Sequence, residues 1–236
     1  MISETARRQQ LRLAGYAPIP VQGKASPLTG WSKKTDANPE EIALWSRTFP
    51  SATNTGLLTG TMPVLDIDIL NPEAAEAIEA LARERFEERG YVLTRIGLSP
   101  KRAILLRTDK PFKKITGNVV APNGDNKQKI ELLADGQQVV AFGIHPDTRK
   151  PYAWFGGEPG PIKYEDLPYI SESEAKKLVA DALKVLVSEF NYTLQSPRSS
   201  ESDKGNSRDS TNWAALIGKS RMAASCMIQP ATLPIG

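Results

Sequence analysis

The stretch VLDIDIL, residues 64–70, constrains this chain more than any other segment. As an extended strand it places Leu65, Ile67 and Ile69 on one face and Asp66 and Asp68 on the other. One face must be buried, while the other must tolerate two neighbouring carboxylates. Their Cα atoms lie roughly 6.5 Å apart at the strand rise. At a charge separation of about 6 Å and an effective dielectric near 20, repulsion costs on the order of 3 kcal/mol. No Lys or Arg within the strand offsets it. A divalent cation does so, as does plain water around a solvated edge strand.

The segments around this strand predict an alternation of strands and capped helices. A short helix is expected from Ser3 to about Ala14, then an apolar stretch at residues 17–21 and a Gly, Pro and Lys-rich loop to Lys34 suited to binding. Asn38-Pro39-Glu40-Glu41 and Asn71-Pro72-Glu73 each join an Asn cap, a first-turn proline and early acids, which marks two further helix starts. Ile42, Leu44 and Trp45 would anchor the first; Ile78, Leu81 and Phe86 would face inward from the second, which ends at Gly90. NTGLLTG reads as a strand before the acidic one, and strand-like segments follow at residues 92–96, 103–107, 129–133 and 138–142. In SESEAKKLVADALKVLVSEF, Ser171 or Ser173 can cap a helix whose Leu178, Ala182, Val185 and Leu186 form one stripe. The fold class is therefore α/β or α+β, with a mixed or antiparallel central sheet flanked by helices.

Residues 1–194 form the expected catalytic domain, 195–212 a polar linker too poor in apolar groups to order, and 213–236 a short tail, read as a truncated second module. Gly218-Lys219-Ser220 lacks the earlier glycine that a phosphate-binding loop requires, since Trp213 stands there.

Chemistry enters with a third acid. In KIELLADG, Glu131 faces away from Ile130 and Leu132. Three carboxylates from two strands can hold two hard cations such as Mg2+ or Mn2+, an arrangement that serves in-line displacement at phosphorus. Glu131 can equally be an ion-pair partner for Lys129 or Lys127. Lys101, Arg102 and Arg107 bracket the apolar AILL segment, with Arg95 just before it, and such cations suit a triphosphate as well as a solvated strand end. His145 ends an apolar strand at the loop GIHPDT, which favours a phosphate or base contact. Lys24, in the loop before Trp31, is a candidate for template or phosphate contact, and Arg95 is a candidate template contact as well.

One Cys and one His remove structural zinc sites of Cys and His and any internal disulfide framework. There is no Gly-X-Ser-X-Gly elbow and no run of about 18 apolar residues, so the chain reads as cytoplasmic, with no membrane partner. A net charge of +3 suits an anionic partner without identifying one.

The order of motifs GYAPIPVQGKASPLTGW, EEIALW, TGLLTG, VLDIDI, PKRAILLR and IELLADGQQVVAFGIHPDTRKPYAW resembles the N-terminal primase-polymerase domain of bifunctional phage and plasmid replication proteins, in the archaeo-eukaryotic primase superfamily. The resemblance covers most of residues 10–170 and implies an RRM-like catalytic half. It implies that Asp66 and Asp68 are the first metal-binding motif, that Glu131 stands at the third acid, and that His145 lies near the nucleotide. The chain departs from many relatives by carrying Lys101 and Arg102 where they place a histidine. The implied partners are single-stranded or primed DNA, nucleoside triphosphates and a separate helicase, in a phage or prophage setting. Two other readings stay open. A metal-dependent nuclease needs the same acids, although the residues after Glu131 are leucines where such sites often carry a lysine. A non-catalytic single-strand-binding or origin-recognition module would have only 7% aromatic residues for stacking.

Overall fold

The helix caps act where the residues demand them. In the computed structural model, which describes residues 2–195 and 211–217, the Asn38 side chain accepts from the Glu41 amide and opens α2 (Pro39–Thr48). It follows α1 (Glu4–Leu13), capped by Ser3, and β1 (Pro18–Val21). β2 (Asn54–Leu58) and β3 (Val64–Asp68) come next, and Asn71 then caps α3 (Pro72–Phe86) through the Ala74 amide. β4 (Thr94–Ile96), β5 (Arg102–Leu105), β6 (Ile115–Val120), β7 (Gln128–Leu133), β8 (Gln138–Phe142) and β9 (Ala153–Phe155) follow. A Ser171–Glu174 capping box starts α4 (Glu172–Glu189), and β10 (Thr193–Leu194) closes the series.

Two sheets result, and every ladder in them is antiparallel. The larger has the order β10-β6-β7-β3-β5-β4-β9; the smaller is β1-β2-β8. The expected antiparallel sheet flanked by helices is thus what forms. α3 and α4 cover one face of the large sheet, where Leu65, Ile67, Ile69, Ile78, Phe86, Leu178, Leu183 and Leu186 are fully buried. Each such side chain contributes about 1.5–3 kcal/mol relative to exposure.

The other face is covered only in part. Leu57, Val139, Ala141 and Phe142 of the small sheet pack on Val64, Ala103 and Leu105, with Leu133 at the margin. Beyond that contact the same strands turn polar. β3 runs Val64, Asp66, Asp68, β5 runs Leu105, Ala103 and then Lys101 just ahead of it, and β7 runs Leu133, Glu131, Lys129.

The strands differ from expectation in places, β4 beginning at Thr94 and not at 92. Residues 106 and 107 leave the ladder because their amides bond Pro63 O and Pro168 O. β6 is a strand that ITGNVV does not advertise: Gly117 lies under α4, where an added Cβ would stand 2.6 Å from Leu183. Residues 196–210 of the expected linker (195–212) and residues 218–236 of the expected tail (213–236), with Gly218-Lys219-Ser220, lie outside the described residues. Residues 213–217 form a helical turn whose Trp213 indole donates to the Thr116 carbonyl at the β6 edge. Among the described residues no helix is long and apolar enough to cross a membrane.

Candidate active site

Antiparallel register brings the expected acids into neighbouring rows. Asp66 faces Glu131 across the β3–β7 ladder, and Asp68 faces Lys129. Directly opposed side chains have Cβ atoms about 5 Å apart. The row through Asp66 continues to Thr116 on β6 in one direction and to Ala103, Arg95 and Trp154 in the other. Beside Asp66 and Asp68 opens a cleft of about 390 Å³, into which Lys24, Arg95, Lys101 and His145 converge.

Asp66 carries the electrostatic strain of the site. Burial raises its pKa to about 6; Arg95 opposes that rise, while the charges of Asp68 and Glu131 add to it. Asp68 is paired to Lys101, Nζ to Oδ1 at 2.5 Å. Glu131 is held by Lys129 at 2.7 Å, by Lys114 at 3.0 Å and by the Thr116 hydroxyl at 3.0 Å. Its burial alone would raise its pKa, but Lys129 and then Lys114 keep it below the ordinary carboxylate value. Glu131 therefore stands beside the pair without lining the cleft, and it takes the ion-pair role that the sequence left open. Among the described residues, no three carboxylate, His or Cys side chains are grouped as ready ligands for one ion. The donor chemistry still suits a hard divalent cation, because Asp66 is a half-buried oxygen donor at the cleft with two acids beside it and no direct ion pair of its own among the described residues.

The cations divide by strand parity. Lys101 shares the open face with Ala103, whereas Arg102 points to the helices, where its guanidinium binds Glu79 and lies 3.7 Å from Glu76. Arg102 borders the cleft, but its charge is already committed behind it. Arg107 is not brought to the cleft: it donates to the Leu167 carbonyl at 2.8 Å and lies over the Tyr169 ring. Arg95 donates to the Val140 carbonyl and stacks 4.9 Å from the Tyr152 ring centre, and its Nε has no partner. It lines the cleft beside Asp66.

His145 is set by backbone. The amides of Asp147 and Thr148 donate to its Nδ1 at 3.2 and 3.3 Å, which leaves the proton of the neutral ring on Nε2. Burial, and then the charge of Lys24, push its pKa down. At neutral pH it is a hydrogen-bond donor and not a cation. Gly97 makes this packing possible, since a Cβ there would stand 2.5 Å from the Tyr152 ring and 2.8 Å from His145.

Residues that the sequence reading did not single out organise both walls. The buried Asn54 amide donates to Gly23 O and Ile144 O and accepts from the Ile144 amide, tying the Lys24 loop to the His145 loop. Lys24 also pairs with Asp147 at 3.1 Å. Nothing in the spacing of residues 24, 54 and 147 announces this, because the contacts close over 31 to 123 residues of chain.

An α+β domain whose antiparallel sheet sets paired carboxylates beside a basic cleft has the groups that chemistry at phosphate uses. Residues 9–169 match the family described as bifunctional DNA primase/polymerase, N-terminal, and the chain belongs to that family. A comparison with curated proteins finds no match.

Proposed function

We propose that this domain is a metal-dependent, template-directed nucleotidyltransferase that adds nucleotides from (d)NTPs to a 3′-hydroxyl, acting in the cytoplasm on phage or plasmid DNA with a separate helicase. The observation that carries the reading is the pair Asp66 and Asp68, two residues apart on one face of β3 at a basic cleft, with Glu131 directly across the ladder from Asp66. Family membership supports the primase or polymerase class.

Asp66 and Asp68 would hold Mg2+ or Mn2+, with Glu131 as a third carboxylate once its contact to Lys129 is released. When bound, the metal supplies charge neutralisation at the phosphates and lowers the pKa of the attacking hydroxyl. The chain's own groups do the rest. Lys101 exchanges Asp68 for a phosphate oxygen, and Lys24 exchanges Asp147 for another. His145 donates from Nε2 to the same anion, while Arg95 keeps Asp66 ionised. Arg102 positions α3 against β5 through Glu79 instead of touching substrate.

The test is extension of a labelled primer on a single-stranded template with Mn2+, set beside an Asp66→Ala, Asp68→Ala variant. Extension by the wild type alone supports the proposal. Shortening of the primer points to a nuclease, and DNA binding without either reaction points to a non-catalytic module.

A further inference from the structure

The two sides of the acid pair are not alike. On the β5, β4 and β8 side lies the cleft with Lys24, Lys101 and His145. On the other side the sheet surface continues over β7 and β6. Lys127, Lys129 and Glu131 alternate outward along β7, and Lys114, Thr116 and Asn118 do so along β6, while Gln128, Ile130, Ile115 and Val119 are buried on the helix side. Lys114, Asn118 and Lys127 are exposed, so among the described residues no element covers this strip.

Its charge is one-sided. Lys127 has no salt-bridge partner among the described residues, and Lys114 and Lys129 share Glu131. The nearby Asp125 is engaged by its own loop, accepting from the Lys127 amide and the Gln128 side chain. Asp135 pairs with Lys113. The outer edge of β6 is closed to strand addition: β10 pairs with Val119 and Val120, and Trp213 occupies the Thr116 carbonyl. What remains is an open, basic sheet face.

In-line transfer at phosphorus puts the attacking oxygen and the departing pyrophosphate on opposite sides of the reacting atom. With the triphosphate in the cleft, the pyrophosphate therefore leaves toward Lys24 and His145, and the hydroxyl must arrive from the β7 and β6 side. We infer that the strip Lys114, Thr116, Asn118, Lys127 and Lys129 binds the sugar-phosphate backbone of the primer's 3′-terminal nucleotides. This rests on the nucleotidyltransferase reading. It gives Lys24 and Arg95 to the nucleotide and moves strand binding to β6 and β7.

The experiment compares the affinity for a primed DNA template of the wild type, the pair Lys127→Glu with Asn118→Glu, and Lys177→Glu on the helix-covered side. The expected result is a loss of about tenfold or more in the paired variant, unchanged binding of a fluorescent nucleoside triphosphate, and no loss in Lys177→Glu. Lys127→Ala should also reduce the slope of log affinity against log salt by about 0.7–0.9, one phosphate contact. Wild-type DNA affinity in the paired variant overturns the inference, and so does an equal loss in Lys177→Glu. If the wild type still extends primers in those cases, the strip alone falls; if it neither binds primed DNA nor extends it, the functional reading falls with it. Melting curves of the three variants, which carry changes only at exposed positions, separate binding loss from unfolding.

Discussion

The large sheet has two faces made by the same strands, and they follow opposite rules. Toward α3 and α4, β3 presents Leu65 and Ile67 to a dry, close-packed core. Toward solvent it presents Asp66 and Asp68, one strand away from Lys101 and Lys129. The first face stabilises the domain through apolar burial; the second concentrates charge, and Asp66 on it has no direct ion pair among the described residues. Alternation lets both coexist at a spacing of one residue, so a change at 67 and a change at 66 should have effects of different kinds.

The largest effect tests the open face. Replacing Asp66 and Asp68 by Ala should reduce primer extension by about a thousandfold or more while melting stays cooperative, measured by extension rates beside thermal unfolding. A variant with near-normal rates would put the chemistry elsewhere. On the helix side, Ile67→Ala should leave the site residues in place but cost about 2–5 kcal/mol in denaturant unfolding, because a fully buried side chain is lost.

Asp66→Asn sharpens the contrast, since it should stabilise the metal-free protein. The folded pKa of Asp66 is about 6 against an ordinary value of 3.8, so between those values the folded state binds more protons than the unfolded one. Wild-type stability from this group therefore falls as pH rises from about 4 to about 6 and stays low above it. At pH 7 in EDTA the variant should gain about 3 kcal/mol at most, and the gain should vanish near pH 4. Added Mn2+ should raise the melting temperature of the wild type and not of the variant. Equal responses to Mn2+ would remove Asp66 from cation binding.

The smallest effects belong to the cleft walls. Gly97→Ala should raise the KM for nucleotide severalfold by displacing Tyr152 and His145, with kcat less affected. Lys24→Ala should raise it by about tenfold or less, the worth of one charge-assisted hydrogen bond, with little change in stability because its partner Asp147 is exposed. Steady-state kinetics over a range of nucleotide concentrations checks both.

Much of this was legible along the chain because the signals are local. The caps at Asn38, Asn71 and Ser171 and the alternation in VLDIDIL depend on residues within one turn or one strand. Glu131 was legible as a third acid by the same alternation, but not its hold by Lys114, which lies on β6. β6 itself was hidden because Thr, Gly and Asn read as loop chemistry, whereas Gly117 answers to the approach of Leu183. Arg102 shows a different failure. Lys101 and Arg102 are adjacent in sequence and look alike as phosphate ligands, yet one step along a strand turns Arg102 to Glu79. The bridging role of Asn54 had no local signature at all.

That amide sets how the cleft can move. With its donors on Gly23 and Ile144 and its acceptor on the Ile144 amide, the buried Asn54 side chain joins the two loops at one point. Parting them breaks three hydrogen bonds at once. The Lys24 loop and the His145 loop are thus coupled, and a change that frees one wall of the cleft also loosens the other.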